Sequence, residues 1–388
     1  MRIVALLSVV TALCVALASG CGATAGEVLQ GVEAGGTADA SAPDAVSDAP
    51  QPEAADAGCD GSFDSDPANC GACGHGCLGG ACVAGQCQPV LLATGPQPFS
   101  AVVDDTRVYW STAGTDPGEI RSVAKDGSSP LTIATNLNAP QGVFVDATNL
   151  FWDEIGAPGG VFMAGKDGSN AVTLSESNAT GPQGIVADAS WVYWLDIYTH
   201  GGVLKAPRTE TPDGGAPIVL SSGWSYVYGL AQDDTYVYWT SEGTAPLGDA
   251  AAPIAGKILS VRKDGTAAAT VLADGQGEPR FVTVDATAVY WTDSLDGTVM
   301  RLRLGSTTPT QLAQGQQPYG IAVDATYVYF STIGTDSSDG TLVRVPKDGS
   351  GPPVVLATGL SWPSQIAVDE QALYWGNLQG GTVMKLAK

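Results

Sequence analysis

The sequence predicts an all-β fold, a seven-bladed β-propeller closed by an N-terminal outer strand. The first observation behind this prediction is a motif of one aspartate followed five residues later by an aromatic pair. The motif begins at Asp104, Asp146, Asp188, Asp233, Asp285, Asp324 and Asp369. Consecutive copies lie 39 to 52 residues apart. A repeat of this length, built from strand-forming residues, is typical of propeller blades with four strands each.

The second observation is that single copies contain segments for all four strands. In the fifth copy these segments are residues 281–284, 288–292, 297–302 and 310–313. Four copies carry the same Lys-Asp-Gly sequence between the third and fourth strands, at residues 125–127, 166–168, 263–265 and 347–349. Glycine adopts positive φ at low cost, so these sequences predict tight hairpin turns.

The third observation is that the two ends of the repeat array complement each other. Residues 381–386 match the third strand at 297–302, and no fourth strand follows them in the sequence. Residues 90–95 precede the first copy and match the fourth strand at 355–359. We therefore expect residues 90–95 to supply the outer strand of the last blade, because this pairing removes an open sheet edge.

The aromatic motif resembles the repeats of YWTD propellers, as in the LDL-receptor family, and of NHL propellers. Residues 290–293, Tyr-Trp-Thr-Asp, are the one literal match, and the other copies depart after the aromatic pair. The receptor family has six blades, whereas seven copies occur here. The resemblance covers residues 89–388 and implies a fold rather than a function, since propellers include hydrolases, lyases, receptors and scaffolds.

The N-terminal residues 1–20 have the features of a secretory signal peptide. An apolar run at residues 3–17 is too short to span a membrane comfortably and ends in small residues. The following Leu-Ala-Ser-Gly-Cys sequence resembles a bacterial lipobox, which implies lipidation of Cys21. Gly22 resembles the residue after the cysteine in lipoproteins sorted to the outer membrane. We expect an exported lipoprotein at the outer membrane or cell surface of a Gram-negative bacterium; the alternative is an ordinary cleavable signal.

Residues 21–58 are predicted to form a disordered tether. From residue 22 to residue 58 there is no aromatic residue, no lysine and no arginine, while seven acidic residues occur. Such a segment cannot bury a core and repels itself into an extended chain.

Residues 59–88 are predicted to form a small disulfide-rich module. Its six cysteines are Cys59, Cys70, Cys73, Cys77, Cys82 and Cys87. Six cysteines so close together in an exported chain predict three disulfides, whose pairing stays open. The run at residues 69–77 resembles the stigma-specific-protein-like cysteine modules of predicted lipoproteins from myxobacteria and their relatives. A zinc or iron–sulfur site with His75 is the alternative, and an oxidising location disfavours it.

Motifs for catalysis or cofactor binding are scarce. The sequence contains two histidines, His75 and His200, and no cysteine lies in residues 89–388. A catalytic triad in the propeller would therefore depend on His200 alone. The repeated aspartates are explained by side-chain hydrogen bonds to their own turns. We predict no catalytic residue, no metal and no cofactor.

The loops leading into the first strands vary between blades and supply a candidate ligand rim. The rim residues are Gln141, Gln183, Tyr228, Arg280, Tyr319 and Gln365. The loops after the second strands are expected at the same channel mouth, with the acids Asp153, Glu154, Asp196, Glu242 and Asp293. A polar and aromatic rim on a rigid ring is a favourable place for a ligand. The alternative is that these side chains only fill solvated loops.

The charge of the propeller limits its partners. Residues 89–388 contain 16 Lys and Arg and 30 Asp and Glu, a balance of −14. This balance disfavours nucleic acid and anionic membrane surfaces. We expect a monomeric, lipid-anchored binding or scaffolding protein with a protein or carbohydrate ligand at the propeller face. The alternatives are a lyase or lactonase, resembling streptogramin lyases and using His200 with acids of the rim, and a purely structural surface protein.

Overall fold

The structure of the protein is a computed structural model. It describes residues 62–113, 117–156, 159–177, 181–197, 200–209, 216–243 and 256–388. The predicted signal peptide, Cys21, the tether and Cys59 lie outside the described residues. Within these ranges every regular element is a β-strand, and none of them contains a helix that could cross a bilayer.

Seven antiparallel sheets of four strands, here called blades I to VII, form the propeller. The strands of blades I and II are β4 (Pro98–Val103), β5 (Arg107–Thr112), β6 (Gly118–Ala124), β7 (Leu131–Leu137), β8 (Pro140–Val145), β9 (Asn149–Glu154), β10 (Gly159–Gly165) and β11 (Val172–Ser177). The strands of blades III and IV are β12 (Pro182–Ala187), β13 (Trp191–Asp196), β14 (Gly202–Pro207), β15 (Ile218–Ser221), β16 (Val227–Gln232), β17 (Tyr236–Ser241), β18 (Gly256–Arg262) and β19 (Thr270–Gln276).

The remaining three blades follow the same pattern, except that the last one takes its outer strand from the N-terminal side. The strands of blades V and VI are β20 (Pro279–Val284), β21 (Ala288–Asp293), β22 (Thr298–Arg303), β23 (Thr310–Gln314), β24 (Pro318–Val323), β25 (Tyr327–Thr332), β26 (Gly340–Pro346) and β27 (Val354–Leu360). Those of blade VII are β28 (Pro363–Val368), β29 (Ala372–Asn377), β30 (Thr382–Ala387) and β3 (Val90–Thr94). The predicted fold class is confirmed.

Ring closure depends on β3, which pairs antiparallel with β30. Its partners are Val90 with Lys385, Leu91 with Met384, Ala93 with Val383 and Thr94 with Thr382. The first strands of consecutive blades contact one another around the whole ring, including β28 against β4. The predicted closure by an N-terminal outer strand is therefore confirmed.

The ring has two faces that differ in the connections they carry. Because the strands of an antiparallel meander alternate in direction, the first strands begin and the second strands end on the same face. We call this the mouth face. The opposite face, here the turn face, carries the turn aspartates and the Lys-Asp-Gly turns.

The aromatic pair of each blade fills two different seams between blades. Adjacent strand residues point to opposite sides of a sheet, so the two rings of a pair are separated. Tyr109 of blade I shares a buried cluster with Trp152 of blade II, and Tyr374 of blade VII shares one with Trp110 of blade I. The other five seams repeat this arrangement. All fourteen rings are at most 3% exposed, which explains why the pair recurs in every blade.

Each turn aspartate joins its own turn to the second strand. Oδ1 of Asp104 accepts the backbone N–H groups of Thr106 and Arg107, both at 2.8 Å, and Oδ2 accepts the Tyr109 hydroxyl at 2.9 Å. The turn bonds recur in all seven blades, and the tyrosine bond recurs in every blade except II, which has Phe151. The interpretation of these aspartates as turn residues is confirmed.

The same carboxylates connect consecutive blades through ion pairs. Six of them contact a lysine or arginine that follows the third strand of the next blade. These pairs are Asp104–Lys166, Asp146–Arg208, Asp188–Lys263, Asp285–Lys347, Asp324–Lys388 and Asp369–Lys125. Burial alone would raise the pKa of Asp285 and Asp324, but the hydrogen bonds from lysine and from the turn lower it to about 2.

The cysteine-rich segment packs against the turn face. It contains a two-stranded ribbon, β1 (Cys82–Val83) and β2 (Gln86–Cys87), and the disulfides Cys70–Cys82 and Cys77–Cys87. Cys73 is disulfide-bonded as well. The side chain of His75 lies between two carbonyl oxygens, those of Cys70 and Lys388, each at 2.5 Å. Disulfide bonding is thus confirmed for the described cysteines, and it leaves no thiolate among them to bind a metal.

The seam between blades IV and V lacks the ion pair. Leu304 occupies the place of the cation, since its N–H donates to the Thr287 carbonyl at 2.9 Å as that of Lys347 donates to Thr326 at 3.0 Å. Among the described residues no cation contacts Asp233, which is bound by its turn and by Tyr238.

We predict that Leu304→Lys completes the series of ion pairs and stabilises the ring. Partly exposed ion pairs contribute about 0.2 to 1 kcal/mol, so the free energy of unfolding should rise by roughly that amount in urea titrations. The gain should disappear when Asp233→Asn is added and shrink in 1 M salt, which screens such pairs. An unchanged gain in the double variant would mean that the introduced lysine acts in another way than through Asp233.

Candidate ligand-binding site at the mouth of the ring

A β-bulge at the start of every first strand places one variable residue at the channel mouth. The pairing of the first and second strands shifts register there in all seven blades. The second residues of the first strands are Phe99, Gln141, Gln183, Tyr228, Arg280, Tyr319 and Ser364. Five of the six predicted rim residues hold this position. Gln365 does not: it is the third residue of β28, and Ser364 holds the position equivalent to Tyr319.

The residue directly before most first strands has a left-handed backbone. This holds for Gln97, Ala139, Tyr226, Glu278, Gln317 and Trp362, with φ between 37° and 64°. In each blade the carbonyl group at this position accepts an N–H from the chain just after the second strand, as Tyr226 does from Glu242 at 3.0 Å. Sequence analysis missed these residues. The available signal was Gly181, the glycine at the equivalent position of blade III.

Three aromatic rings and one guanidinium group from blades IV, V and VI converge at the mouth. The centroids of Tyr228, Phe281 and Tyr319 lie 5.1 to 6.2 Å apart in edge-to-face geometry. The hydroxyl groups of the two tyrosines contact each other. The Arg280 guanidinium lies 5.2 Å from the centre of the Tyr228 ring. We call these four residues, together with Glu242 and Glu278, the mouth cluster.

Two carboxylates hold Arg280 in place. Its Nη1 pairs with Glu242, and its Nη2 lies 3.2 Å from Oε2 of Glu278. Burial raises the pKa of the Glu242 carboxyl to about 7, since the attraction of Arg280 offsets burial only in part and Glu278 adds a like charge. The cluster is therefore held in one arrangement and partly desolvated, with two carboxyl groups to one guanidinium group.

The other predicted rim residues form an amide side of the mouth. Gln141, Gln183 and Gln365 belong to blades II, III and VII. Oε1 of Gln365 accepts the hydroxyl of Ser100 at 3.0 Å. Oε1 of Gln141 is buried without a hydrogen-bond partner among the described residues. The structure thus brings Tyr228, Arg280 and Tyr319 together and leaves the three glutamines apart from them.

Four of the five predicted rim acids are strand residues rather than loop residues, which corrects the sequence analysis. Asp153, Glu154, Asp196 and Asp293 end the second strands and are at most 7% exposed. The second strands continue for two residues beyond the aromatic pair, so these side chains enter the seams. Glu242 alone follows its strand and lies at the mouth.

Hydroxyl groups fix the backbone of the rim from one blade to the next. Thr240 donates to the Arg280 carbonyl at 2.8 Å, and Thr292 donates to the Tyr319 carbonyl at 2.6 Å. Ser111, Ser331 and Ser364 make the corresponding bond in three other seams. These bonds hold the rim backbone rigid while the side chains vary.

Asp153 occupies the hydroxyl position in blade II. It is fully buried; Oδ1 accepts the Gly142 N–H at 3.1 Å, and Oδ2 has no hydrogen-bond partner among the described residues. Burial raises the pKa of this carboxyl well above its usual range, and the neighbouring Glu154 raises it further.

His200 forms a pair with one rim acid. Its Nδ1 contacts Oδ2 of the buried Asp196, and its backbone N–H donates to the same oxygen at 3.1 Å. A neutral imidazole that donates from Nδ1 to a carboxylate has Nε2 as a proton acceptor. The remaining rim acids bind elsewhere: Glu154 to the Asn138 amide, Glu242 to Arg280, Asp153 and Asp293 to glycine amides.

The central channel below the rim is apolar. A cavity of about 290 Å³ is lined mainly by valine, isoleucine, leucine and alanine of the first strands. Its polar lining residues are Gln232, Thr283 and Gln365, and Nε2 of Gln232 donates to the Ala187 carbonyl at 2.6 Å.

Comparison with known proteins finds the fold in several solved structures. The virginiamycin B lyase from Staphylococcus aureus is similar with a TM-score of 0.59 and 15% identity, over 78% of this chain and 98% of that one. A puromycin-hydrolyzing peptidase from Mycobacterium tuberculosis has a TM-score of 0.55 and 11% identity, over 74% of this chain and 50% of that one. A chain of a nidogen/laminin complex has a TM-score of 0.49 and 18% identity, over 65% of this chain and 92% of that one.

Sequence comparisons give no further relationship. No family model matches this chain. No curated protein matches it either. At the identities of the structural matches, the likeness shows the propeller fold alone.

We predict that Asp153→Asn removes a pH-dependent loss of stability. In the unfolded chain an aspartate ionises near pH 3.9, while the folded carboxyl stays protonated to higher pH. The unfolded state then binds fewer protons, so wild-type stability falls as pH rises through this window, by up to about 1.4 kcal/mol per pH unit. In unfolding titrations between pH 4 and 8, the free energy of unfolding of Asp153→Asn should rise relative to that of the wild type as pH rises.

The matched control is Asp105→Asn, at an exposed aspartate of the neighbouring blade. Its stability should run parallel to that of the wild type over the same pH range. Parallel curves for Asp153→Asn as well would contradict the burial of a protonated carboxyl.

Proposed function

We propose that the protein is a binding module that engages a polypeptide partner at the mouth face, without catalysis. The observation that supports this proposal most is the packing of Tyr228, Phe281 and Tyr319 from three consecutive blades around a fixed Arg280. Tyrosine and arginine contribute disproportionately to protein interfaces. Side chains already held in one arrangement lose little entropy on binding, so a rigid cluster favours affinity.

Backbone strain supports the same face as a binding surface. Tyr226 and Trp362 have φ of 49° and 56°, a conformation that is unusual for bulky residues, and Tyr226 is 66% exposed. Blade III has glycine at this position, so an aromatic ring is not required by the fold. Strain retained at an exposed aromatic residue points to a role for the side chain.

We further propose that the protein is presented at the bacterial cell envelope by a lipid on Cys21. The predicted signal peptide and the resemblance to a lipobox support this placement. The acidic tether would then separate the propeller from the membrane.

Catalysis at the mouth face is the second candidate function. The pairing of His200 with buried Asp196 favours it, because this is how a general base is oriented. The fold also occurs in a lyase and in a peptidase. Among the described residues, however, no second acid of the rim contacts His200. We therefore favour binding.

We predict that the double variant Tyr226→Ser/Trp362→Ser loses the partner. Immobilised wild-type propeller should capture a protein from envelope extracts of the producing bacterium, and the variant should retain at least about tenfold less, as loss of interface hot spots implies. Quantitative mass spectrometry measures the difference. Protease treatment of the extract should abolish capture, whereas a carbohydrate ligand would survive it.

The matched control replaces two exposed apolar residues of an outer strand, Val354→Ser/Val355→Ser. This variant should capture the partner like the wild type. Equal capture by the mouth variant would contradict binding at the mouth.

We predict that Cys21→Ser abolishes lipid attachment. Metabolic labelling with a radioactive fatty acid should mark the wild type but not the variant, and the variant should appear in the soluble fraction. Persistent labelling of Cys21→Ser would exclude lipidation at this residue.

A further inference from the structure

We propose that the part of the ligand that contacts the mouth cluster is an organic cation on an apolar stem, as in a lysine or arginine side chain. This inference rests on the proposed binding at the mouth and specifies the chemistry of the partner.

The one positive charge of the cluster is already used inside the protein. Arg280 is paired with Glu242 and with Glu278, it stacks on Tyr228, and its side chain is 21% exposed. A ligand anion would have to displace both carboxylates from Arg280 and would meet their negative charge. Arg280 therefore serves to arrange the cluster rather than to bind an anion.

Further carboxyl groups lie next to this arginine, and in the part of the chain that the structure describes no ion pair joins Asp293 or Asp296 to a cation. Oδ2 of Asp293 accepts the Gly277 N–H at 3.0 Å, and the carboxylate of Asp296 lies directly over Gly277. Gly277 precedes Glu278, so three carboxylates surround one short loop. Asp293 is 1% exposed, and its Oδ1 has no hydrogen-bond partner among the described residues.

The pKa values of two of these carboxyl groups, those of Asp293 and Glu242, are raised by burial and by neighbouring carboxylates. Burial, together with the charges of Asp296 and Glu278, raises the pKa of Asp293 to about 7. Burial and Glu278 act on Glu242 in the same direction against Arg280. A bound cation would relieve the repulsion in both places.

The geometry favours an organic cation over a metal ion. Among the described residues, no three carboxylate oxygens lie close enough together to hold a metal. Aromatic groups instead stand beside the acids: Tyr228, Phe281 and Tyr319 in the cluster, and the exposed Tyr226, whose carbonyl binds the Glu242 amide. Aromatic faces next to carboxylates attract ammonium and guanidinium groups and also pack against their methylene stems.

The test measures fluorescence anisotropy with two labelled octapeptides, four repeats of Lys-Gly and four repeats of Glu-Gly. The Lys-Gly peptide should bind and the Glu-Gly peptide should not. Carboxylates with a pKa near 7 ionise between pH 6 and 8, while lysine stays charged, so affinity for the Lys-Gly peptide should rise across this range. Glu242→Gln/Glu278→Gln should weaken binding by roughly tenfold or more and reduce its pH dependence to the part that comes from Asp293.

The control variant Asp126→Asn/Asp348→Asn removes the same charge from two exposed turns of the turn face. It should bind the Lys-Gly peptide like the wild type. Equal weakening in both double variants would mean that the Lys-Gly peptide is attracted only by the overall negative charge of the protein, and this result would overturn the inference. Tighter binding of the Glu-Gly peptide would overturn it as well.

The failure of this inference is distinguishable from failure of the proposed function. If Tyr226→Ser/Trp362→Ser loses the captured partner but Glu242→Gln/Glu278→Gln keeps it at wild-type affinity, the mouth binds a partner that is not cationic there. The proposed function would then stand and the charge assignment would be wrong.

Discussion

The side-chain carboxylate at the first turn of each blade joins the turn, the sheet and the neighbouring blade. In Asp324, one oxygen accepts two amides of its own turn, and the other accepts the Tyr329 hydroxyl and the Lys388 ammonium. Because the tyrosine must reach the carboxylate that closes the turn, geometry fixes the five-residue spacing of the motif. The aromatic residue after the tyrosine then faces the opposite seam, where it meets the tyrosine or phenylalanine of the preceding blade. The carboxylate of the turn aspartate thus contributes to turn closure, to blade packing and to ring assembly.

This repeated junction leaves the mouth face available for variation. The hydroxyl bonds between blades hold the rim backbone, so the second residue of each first strand changes without disturbing the ring. Glutamines of blades II and III stand at one side of the mouth and Tyr228, Arg280 and Tyr319 at the other. A scaffold with near sevenfold symmetry therefore carries a site that is asymmetric in charge and in shape.

The sequence was sufficient for the fold because the blade junction repeats at a regular spacing and each repeat adds to the same pattern. It was less informative at the mouth, where the determining features are local. Gln365 was chosen where Ser364 holds the equivalent position of the strand, and the left-handed backbone of Tyr226 has no compositional signature. Asp153 was assigned to a loop because the sequence does not show how far the second strand extends beyond the aromatic pair, and this extent determines its burial. The convergence of Tyr228 with Tyr319 across an intervening blade is set by tertiary structure alone.

The attachment of the cysteine-rich segment has a consequence for copies of the protein that share one surface. The segment joins the ring at the turn face, where His75 contacts the Lys388 carbonyl, so the polypeptide reaches the propeller from the side opposite the mouth. Under the proposed anchoring, the chain would therefore leave the mouth of each neighbouring copy uncovered. A partner with several docking segments would then meet a high effective concentration of sites, and weak individual contacts would combine into avidity.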